Sequence, residues 1–217
     1  MNVPEGIRAV VFDAVGTLIF PNPGASVVYA GVTKSHGVTI AQPDELNARL
    51  WAQFRIEEQL DRENGWRTSE DRECTRWRTI VNVAVPGASD ELFEELFQHF
   101  SLPTAWRVPD EAAAAITELQ RRGFILGMGS NYDTRLRSVV EGTPALLPLA
   151  GHLVISSLVG YRKPAPQFFA AVRDSVQCEP HEILFVGDDV ENDFNGAQAA
   201  GMKSMLVDDV AKWKLLL

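Results

Sequence analysis

The pattern of apolar and polar positions divides the chain into two regimes. Near the start, the run Ala9–Phe12 is wholly apolar, as in a strand buried on both faces, and it stops on a carboxylate, Asp13. Ala14, Val15, Gly16 and Thr17 follow, a turn that aims Asp13 out of the strand's C-terminal end. Strand character then disappears until the chain passes PTAWRVP (103–109), and helical spacing takes over. It predicts a helix over Ala25–Gly37 after the turn PNPG, and another over Asp44–Arg62 with Leu46, Leu50, Phe54 and Ile56 on one side. A third spans Thr68–Ala84, with Trp77, Ile80 and Val81 apolar. Ser89 is the N-cap of a fourth, DELFEELFQHF, whose first turn carries Asp90 and Glu91.

From Asp110 strands and helices alternate. DEAAAAITELQRRG is a helix stopped by Gly123; FILGMG (124–129) is a buried strand leading to Ser130-Asn131, with a helix from Asp133. LVIS (153–156) is the next strand, 165–178 a helix, and ILFVG (183–187) a strand ending on Asp188-Asp189. A helix through Asn195–Ala200 stops at Gly201, and SMLV (204–207) is the last strand. The apolar stretch Lys212–Leu217 suits either a cover for the sheet edge or a tail packing on a partner. This βαβα rhythm predicts an α/β fold, a doubly wound parallel sheet with helices on both sides. The helices before PTAWRVP read as an all-α insert, giving a core of 1–20 and 106–217 and an inserted domain of 21–105.

Composition adds exclusions. A net charge of −9, with no Lys/Arg cluster, speaks against nucleic acid or an anionic membrane as partner. No basic stretch with an apolar run marks a signal peptide, and no apolar segment is long enough for a bilayer, so a cytoplasmic location is expected. Cys74 and Cys178, far apart in different kinds of segment, are expected to be free thiols. The histidines (36, 99, 152 and 181) show no metal-ligand spacing.

Chemistry-bearing residues gather at strand C-termini: Asp13, Ser130-Asn131, Lys163, Asp188-Asp189 and, a few residues on, Asp193. Parallel topology puts them on one rim, where ligands bind in such sheets. Converging carboxylates repel unless a cation sits among them, and hard oxygen donors without Cys or His favour Mg²⁺. A carboxylate nucleophile, a divalent cation and a Lys around an anionic oxygen cluster suit phosphoryl transfer.

These segments resemble the motifs of the haloacid dehalogenase-like (HAD) superfamily over essentially the whole chain. FDAVGTL is similar to its first motif, implying Asp13 as nucleophile, with Gly16 and Thr17 at the substrate. GMGSN is similar to the second, implying that Ser130 binds the phosphoryl group with Asn131 beside it. GYRKPAP is similar to the third, implying that Lys163 steadies both nucleophile and substrate anion. VGDDVENDFNGAQAAG is similar to the fourth, implying that Asp188 ligates Mg²⁺ directly while Asp189 or Asp193 holds the metal or its waters. The insert resembles the cap that closes over this family's site. Together the resemblance implies a Mg²⁺-dependent hydrolase of a small, phosphorylated molecule.

One position departs from the pattern. Family phosphatases carry a second Asp two residues after the nucleophile, as general acid and base; here it is Val15. Its backbone carbonyl can still ligate Mg²⁺, but the lost proton transfer is worth about 10²–10⁴-fold in rate, so turnover is expected to be reduced. Alternatives are a 2-haloacid dehalogenase, for which Arg55 or Arg62 would cradle halide, a phosphonate-cleaving enzyme using Lys34, or a non-catalytic phosphate- or metal-binding protein. The tryptophans Trp51, Trp66 and Trp77 read as core of the insert, one of them a pocket candidate. Gly196, Ala197 and Gly201 read as packing positions.

Overall fold

A computed structural model describes residues 3–39, 42–207, 213 and 216. The first strand, β1 (Ala9–Phe12), has every residue buried. A two-residue strand β2 (Phe20–Pro21) leads into helices α1 (Ala25–Ser35), α2 (Pro43–Glu63), α3 (Glu70–Ala84) and α4 (Asp90–His99). The chain returns through β3 (Trp106–Arg107), which pairs antiparallel with β2, so the outgoing and incoming crossings are laced together. Then come α5 (Asp110–Arg121), β4 (Ile125–Ser130), α6 (Arg135–Glu141), β5 (Leu153–Ile155), α7 (Ser156–Val159), α8 (Pro166–Val176) and β6 (Ile183–Gly187). A single π-type turn, Val190–Asn195, precedes α9 (Gly196–Ala199), and β7 (Lys203–Leu206) ends the sheet.

The five strands run parallel in the order β5-β4-β1-β6-β7. Ala9 pairs with both Ile125 and Ile183, which makes β1 the central strand. Its side chains divide between two cores, as the period of a strand dictates. Val10 and Phe12 face α5 and α6, whereas Ala9 and Val11 face α8. Both faces are covered, which is why β1 reads as a continuous apolar run. Of the C-terminal stretch only Trp213 and Leu216 are described. Both are buried in the first of these cores, and Trp213 stacks on Phe12 at 6.0 Å.

Helices α1–α4 have an apolar cluster of their own, including Leu46, Val81, Leu92 and Leu96. Ser89 caps α4 as expected, accepting from Leu92 N. In α3 the cap is Ser69 rather than Thr68, whose hydroxyl instead donates to Glu73 at 2.7 Å. The expected apolar side of α2 needs a larger correction: Ile56 is 53% exposed, while Gln53, Glu57 and Asp61 are buried. These polar residues lie four apart, on one helical face; Gln53 donates to Glu57 at 3.2 Å, and the two acids are buried because they meet cations. Asp61 pairs with Arg72, Arg76 and Arg162; Glu73 pairs with Arg162, and Glu57 with Arg72. Three carboxylates thus face three guanidiniums across α2, α3 and the loop before α8.

The same loop is joined to the helical layer by backbone bonds. Arg162 N donates to Trp66 O at 2.8 Å, and Thr68 N to Gly160 O at 3.0 Å. Trp66 holds φ +62°, a conformation unusual for a bulky residue. Among the described residues, no helix is long and apolar enough to cross a membrane, and both cysteines are free.

Breaking a buried pair leaves an uncompensated charge and costs about 3–5 kcal/mol. Asp61→Ala should therefore destabilise the protein by that amount in urea unfolding, since Arg76 is 1% exposed and its Nη2 already lacks a partner among the described residues. A loss below about 1 kcal/mol, the range of surface pairs, would contradict this account of the network.

Candidate active site

The C-terminal ends of β1, β4 and β6 open on one rim, and the loops beyond them carry the acids. Asp13 directly follows β1, and its N–H still donates to Val186 O at 2.8 Å, so the residue is fixed by the sheet itself. The turn after it depends on Gly16, which has φ +95° and leaves no room for a side chain. A Cβ there would stand 2.4 Å from Asp188 Oδ2. Gly187 performs the same service for Asp193, which a Cβ would meet at 2.2 Å. Two glycines thereby let three carboxylates approach: oxygens of Asp13, Asp188 and Asp193 all lie within 4.8 Å of one another.

Lys163 binds this group together. Its Nζ donates to Asp13 Oδ1 and Asp193 Oδ1, both at 2.6 Å, and to Gly129 O at 3.1 Å. All three ammonium protons are thus placed, in a side chain that is 2% exposed. Ser130 Oγ donates to the same Asp13 oxygen at 3.3 Å, which leaves Oδ2 without a side-chain donor among the described residues. Thr17 Oγ1 donates to Asp188 Oδ1 at 2.9 Å.

The expected residues therefore divide into two sets. Asp13, Ser130, Lys163, Asp188 and Asp193 converge on one point. Asn131 supports that point from behind: its Oδ1 accepts from Lys163 N at 2.7 Å, and its Nδ2 donates to Lys163 O. Asp189 uses Oδ1 to cap the π-type turn, accepting from Glu191 N and Asn192 N, while its own N–H donates to Asp193 Oδ2. Gly16 and Thr17 act through Asp188 and do not line the cavity described below. Arg55, Arg62 and Lys34 also lie outside it; Arg62 pairs with Glu191 at 2.7 Å. Gly196 meets its packing role, since a Cβ there would stand 2.7 Å from the ring of Phe169, whereas Gly201 serves a φ +81° turn.

A cavity of about 400 Å³ opens from the acids towards the helical layer, a size typical of small-molecule sites. Its floor is Val15, Ser130, Lys163 and the acids, and its walls are mainly apolar, with Asn47, Glu58 and Asn192 among them. Trp51 and Trp77, expected as core with one tryptophan a pocket candidate, both belong to those walls. So do Phe54, Phe97, Phe100 and Trp106, which helical spacing does not distinguish from core. Trp66 instead supplies the carbonyl that holds Arg162.

Burial raises the pKa of Asp13, and Asp188 adds to the rise while Lys163 opposes it. Burial lifts Asp193 to about 6 against the same Lys163. Burial also raises Asp188, helped by Asp193 and resisted by the Thr17 hydrogen bond. For Lys163 burial works downward, but Asp13 and Asp193 outweigh it and hold the ammonium up at about 12. The cluster is a site for positive charge.

Known proteins resemble this chain over most of its length. The family model "haloacid dehalogenase-like hydrolase" matches residues 7–201. Human haloacid dehalogenase-like hydrolase domain-containing protein 3 is 28% identical over 212 residues, covering 93% of this chain and 82% of that protein. A putative HAD-hydrolase of Bacillus subtilis bound to magnesium superposes with a TM-score of 0.72 at 20% identity, covering 93% of this chain and 87% of that one. L-2-haloacid dehalogenase from Xanthobacter autotrophicus, with chloropropionic acid covalently bound, gives 0.70 at 19% identity, covering 93% and 77% respectively.

The raised acids set a sign for stability. A carboxyl whose folded pKa exceeds its unfolded value near 3.9 binds its proton more tightly in the native state. Its contribution is greatest below the unfolded value and is lost as pH rises towards about 6 for Asp193. In EDTA, unfolding free energy should fall more steeply between pH 4 and 6 in the wild type than in Asp193→Asn. Equal slopes in chemical denaturation would remove Asp193 as the source.

Proposed function

Because the chain belongs to the haloacid dehalogenase-like hydrolase family, we propose that it is a Mg²⁺-dependent phosphatase of a small molecule, with Asp13 as nucleophile. The observation that carries this reading is the convergence of Asp13, Asp188 and Asp193 about one point, with Lys163 and Ser130 both on Asp13 Oδ1. The donor set is all carboxylate oxygen, without Cys or His, and fits a hard divalent cation. Asp13, Asp188 and Asp193 would hold it, and the carbonyl of Val15 is the further ligand that the family pattern suggests. Bound there, Mg²⁺ supplies positive charge that lets an anionic phosphate approach an anionic nucleophile.

The chain's own residues then account for the chemistry. Lys163 and Ser130 orient the carboxylate through Oδ1, so Oδ2 is the oxygen that attacks phosphorus. A bond from Asp13 to phosphorus forms as the ester P–O bond breaks, and the leaving group departs with that electron pair. Water then releases inorganic phosphate and restores the carboxylate. We read 21–105 as the cap over a core of 1–20 and 106–217, because the cavity has its floor on one and its walls largely on the other. A cytoplasmic location accords with the two free thiols.

The dehalogenase reading has less support. A 2-haloacid needs a cation for its carboxylate, and the cavity's arginines are committed: Arg135 to Asp133 and Phe97 O, Arg162 to Glu73 and Asp61. Metal-independent release of halide from 2-chloropropionate in EDTA would favour it over a phosphatase.

Mg²⁺ should raise the melting temperature by linkage, by about 2.7 kcal/mol of stability at a hundredfold excess over Kd. Asp188→Asn should lose at least tenfold in Mg²⁺ affinity by calorimetry. Wild-type affinity in that variant would move the ion elsewhere.

Val15 sets the kinetics. It is 40% exposed on the cavity floor and offers no proton. With activated phosphates the expected record is a burst of one leaving group per site, then slow turnover as phospho-Asp13 accumulates. Val15→Asp should accelerate the slow phase by some part of the 10²–10⁴-fold that a placed acid–base contributes. Rapid quench and intact mass measure both. Fast steady-state hydrolysis of alkyl phosphates would instead direct attention to Glu58, a cavity acid that accepts from Asn192 at 3.1 Å.

A further inference from the structure

The cavity wall beyond the acids is built largely from rings and aliphatic side chains, with Asn47, Glu58 and Asn192 as polar exceptions. Leu50, Phe54, Trp77, Ile80, Phe97 and Phe100 face one space, contributed by α2, α3, α4 and the residue after α4. Two of the ring donors near this space are consumed within the protein. Trp106 Nε1 donates to Phe100 O at 3.2 Å, and Tyr132 Oη donates to the same oxygen at 3.3 Å. The guanidinium of Arg135 is spent on Asp133 and Phe97 O, and that of Arg162 on Glu73 and Asp61. Among the described residues lining the cavity, no cation is left without a carboxylate.

This wall has definite preferences. A hydroxyl-rich body entering it would find few partners apart from Asn47 and Glu58, and each hydroxyl left without one costs roughly ten- to a hundredfold in affinity. A second anionic group would find no counter-charge. A flat apolar body would gain ring contacts and lose water from its faces. The floor selects independently. With Val15 in place of a proton donor, only a leaving oxygen that is stable unprotonated departs readily. A phenolic oxygen, with a pKa near 10, meets that need far better than an alkanol near that of water, about 15.7.

We propose that the substrate is an aryl phosphate: one phosphate on an aromatic hydroxyl, with an uncharged apolar ring body seated among the rings of the helical layer. The proposal rests on the phosphatase reading for the phosphate end, and on the cavity wall alone for the ring end. The two ends are separable by experiment.

Quenching of tryptophan fluorescence, in the metal-free full chain, reports ring binding without chemistry. The probes are 1-naphthol, 1-naphthyl phosphate, glucose 6-phosphate and inorganic phosphate. Naphthol is expected to bind, and Leu50→Asp, which places a charge in the wall, should weaken it at least tenfold; inorganic phosphate affinity, measured by calorimetry with Mg²⁺ added, should stay unchanged. Where that substitution disturbs folding, as judged by circular dichroism, Leu50→Asn is the second variant. In Mg²⁺, kcat/KM for naphthyl phosphate should exceed that for glucose 6-phosphate by at least a hundredfold. Naphthol binding that both variants leave unchanged, or equal kcat/KM for the two phosphates, would overturn the aryl assignment and leave the phosphatase reading standing. Wall-dependent naphthol binding with no phosphate release from any ester would do the reverse.

Discussion

The buried ammonium of Lys163 is the constraint on which the site is built. Asp13, Asp188 and Asp193 bring their oxygens within 4.8 Å of one another, an arrangement that repels itself when ionised. Lys163 bridges Asp13 and Asp193 at 2.6 Å each. It offsets one charge and no more, so the fully ionised cluster keeps two negative charges in excess. Burial raises the carboxyl pKa values and the neighbouring acids add to the rise, while the excess charge is what attracts a cation from solution. Too strong a compensation, such as a second lysine, would have stabilised the empty site and removed its affinity for a metal.

Placing an ammonium this accurately requires its backbone to be fixed, and the structure shows how. Asn131 clamps the peptide of Lys163 from both sides. One residue earlier, Arg162 is tied to Trp66 by its N–H and to Glu73 and Asp61 by its side chain. The ionic face of α2 and α3 therefore stabilises the loop that carries Lys163. Buried ion pairs often contribute little net stability compared with apolar packing. Here their location explains them better than their energy does: they connect the helical layer to the loop that orients the nucleophile. Movement of that layer as a free lid would have to break this network together with the Thr68–Gly160 backbone bond.

Much of this was legible because its signals are local. A strand buried on both faces is a continuous apolar run, and an acid directly after it must sit on the rim; Asp13 and Asp188 were placed that way. Gly16 was legible as a turn residue, though only the structure shows that Asp188 occupies the space of its missing side chain. The ribbon of β2 and β3 was not legible, since two residues per strand carry no period. Nor was the buried face of α2, because Glu57 and Asp61 on a helix read as solvated until their arginines, from other segments, are seen opposite. Phe54 and Trp77 read as core for a similar reason. Spacing records which side chains leave water, and says nothing of whether protein or ligand takes its place.

Val15 and the aromatic wall, read separately, look like a loss and an accident. Together they are consistent. Removing a proton donor narrows the reaction to leaving groups that depart as anions, and among biological hydroxyls those are phenolic and acyl. An acyl phosphate carries polar carbonyl oxygen next to the phosphorus and needs a donor near Asp13, yet Lys163 has no proton to spare and Ser130 already donates to Asp13. A phenol needs no such donor and brings a ring that the wall can cover. Val15 is itself part of that cover, an apolar contact on the cavity floor where a carboxylate would have kept water. The substitution that costs general acid catalysis thus extends the apolar surface down to the nucleophile, and the same residue selects the leaving group by its chemistry and by its shape.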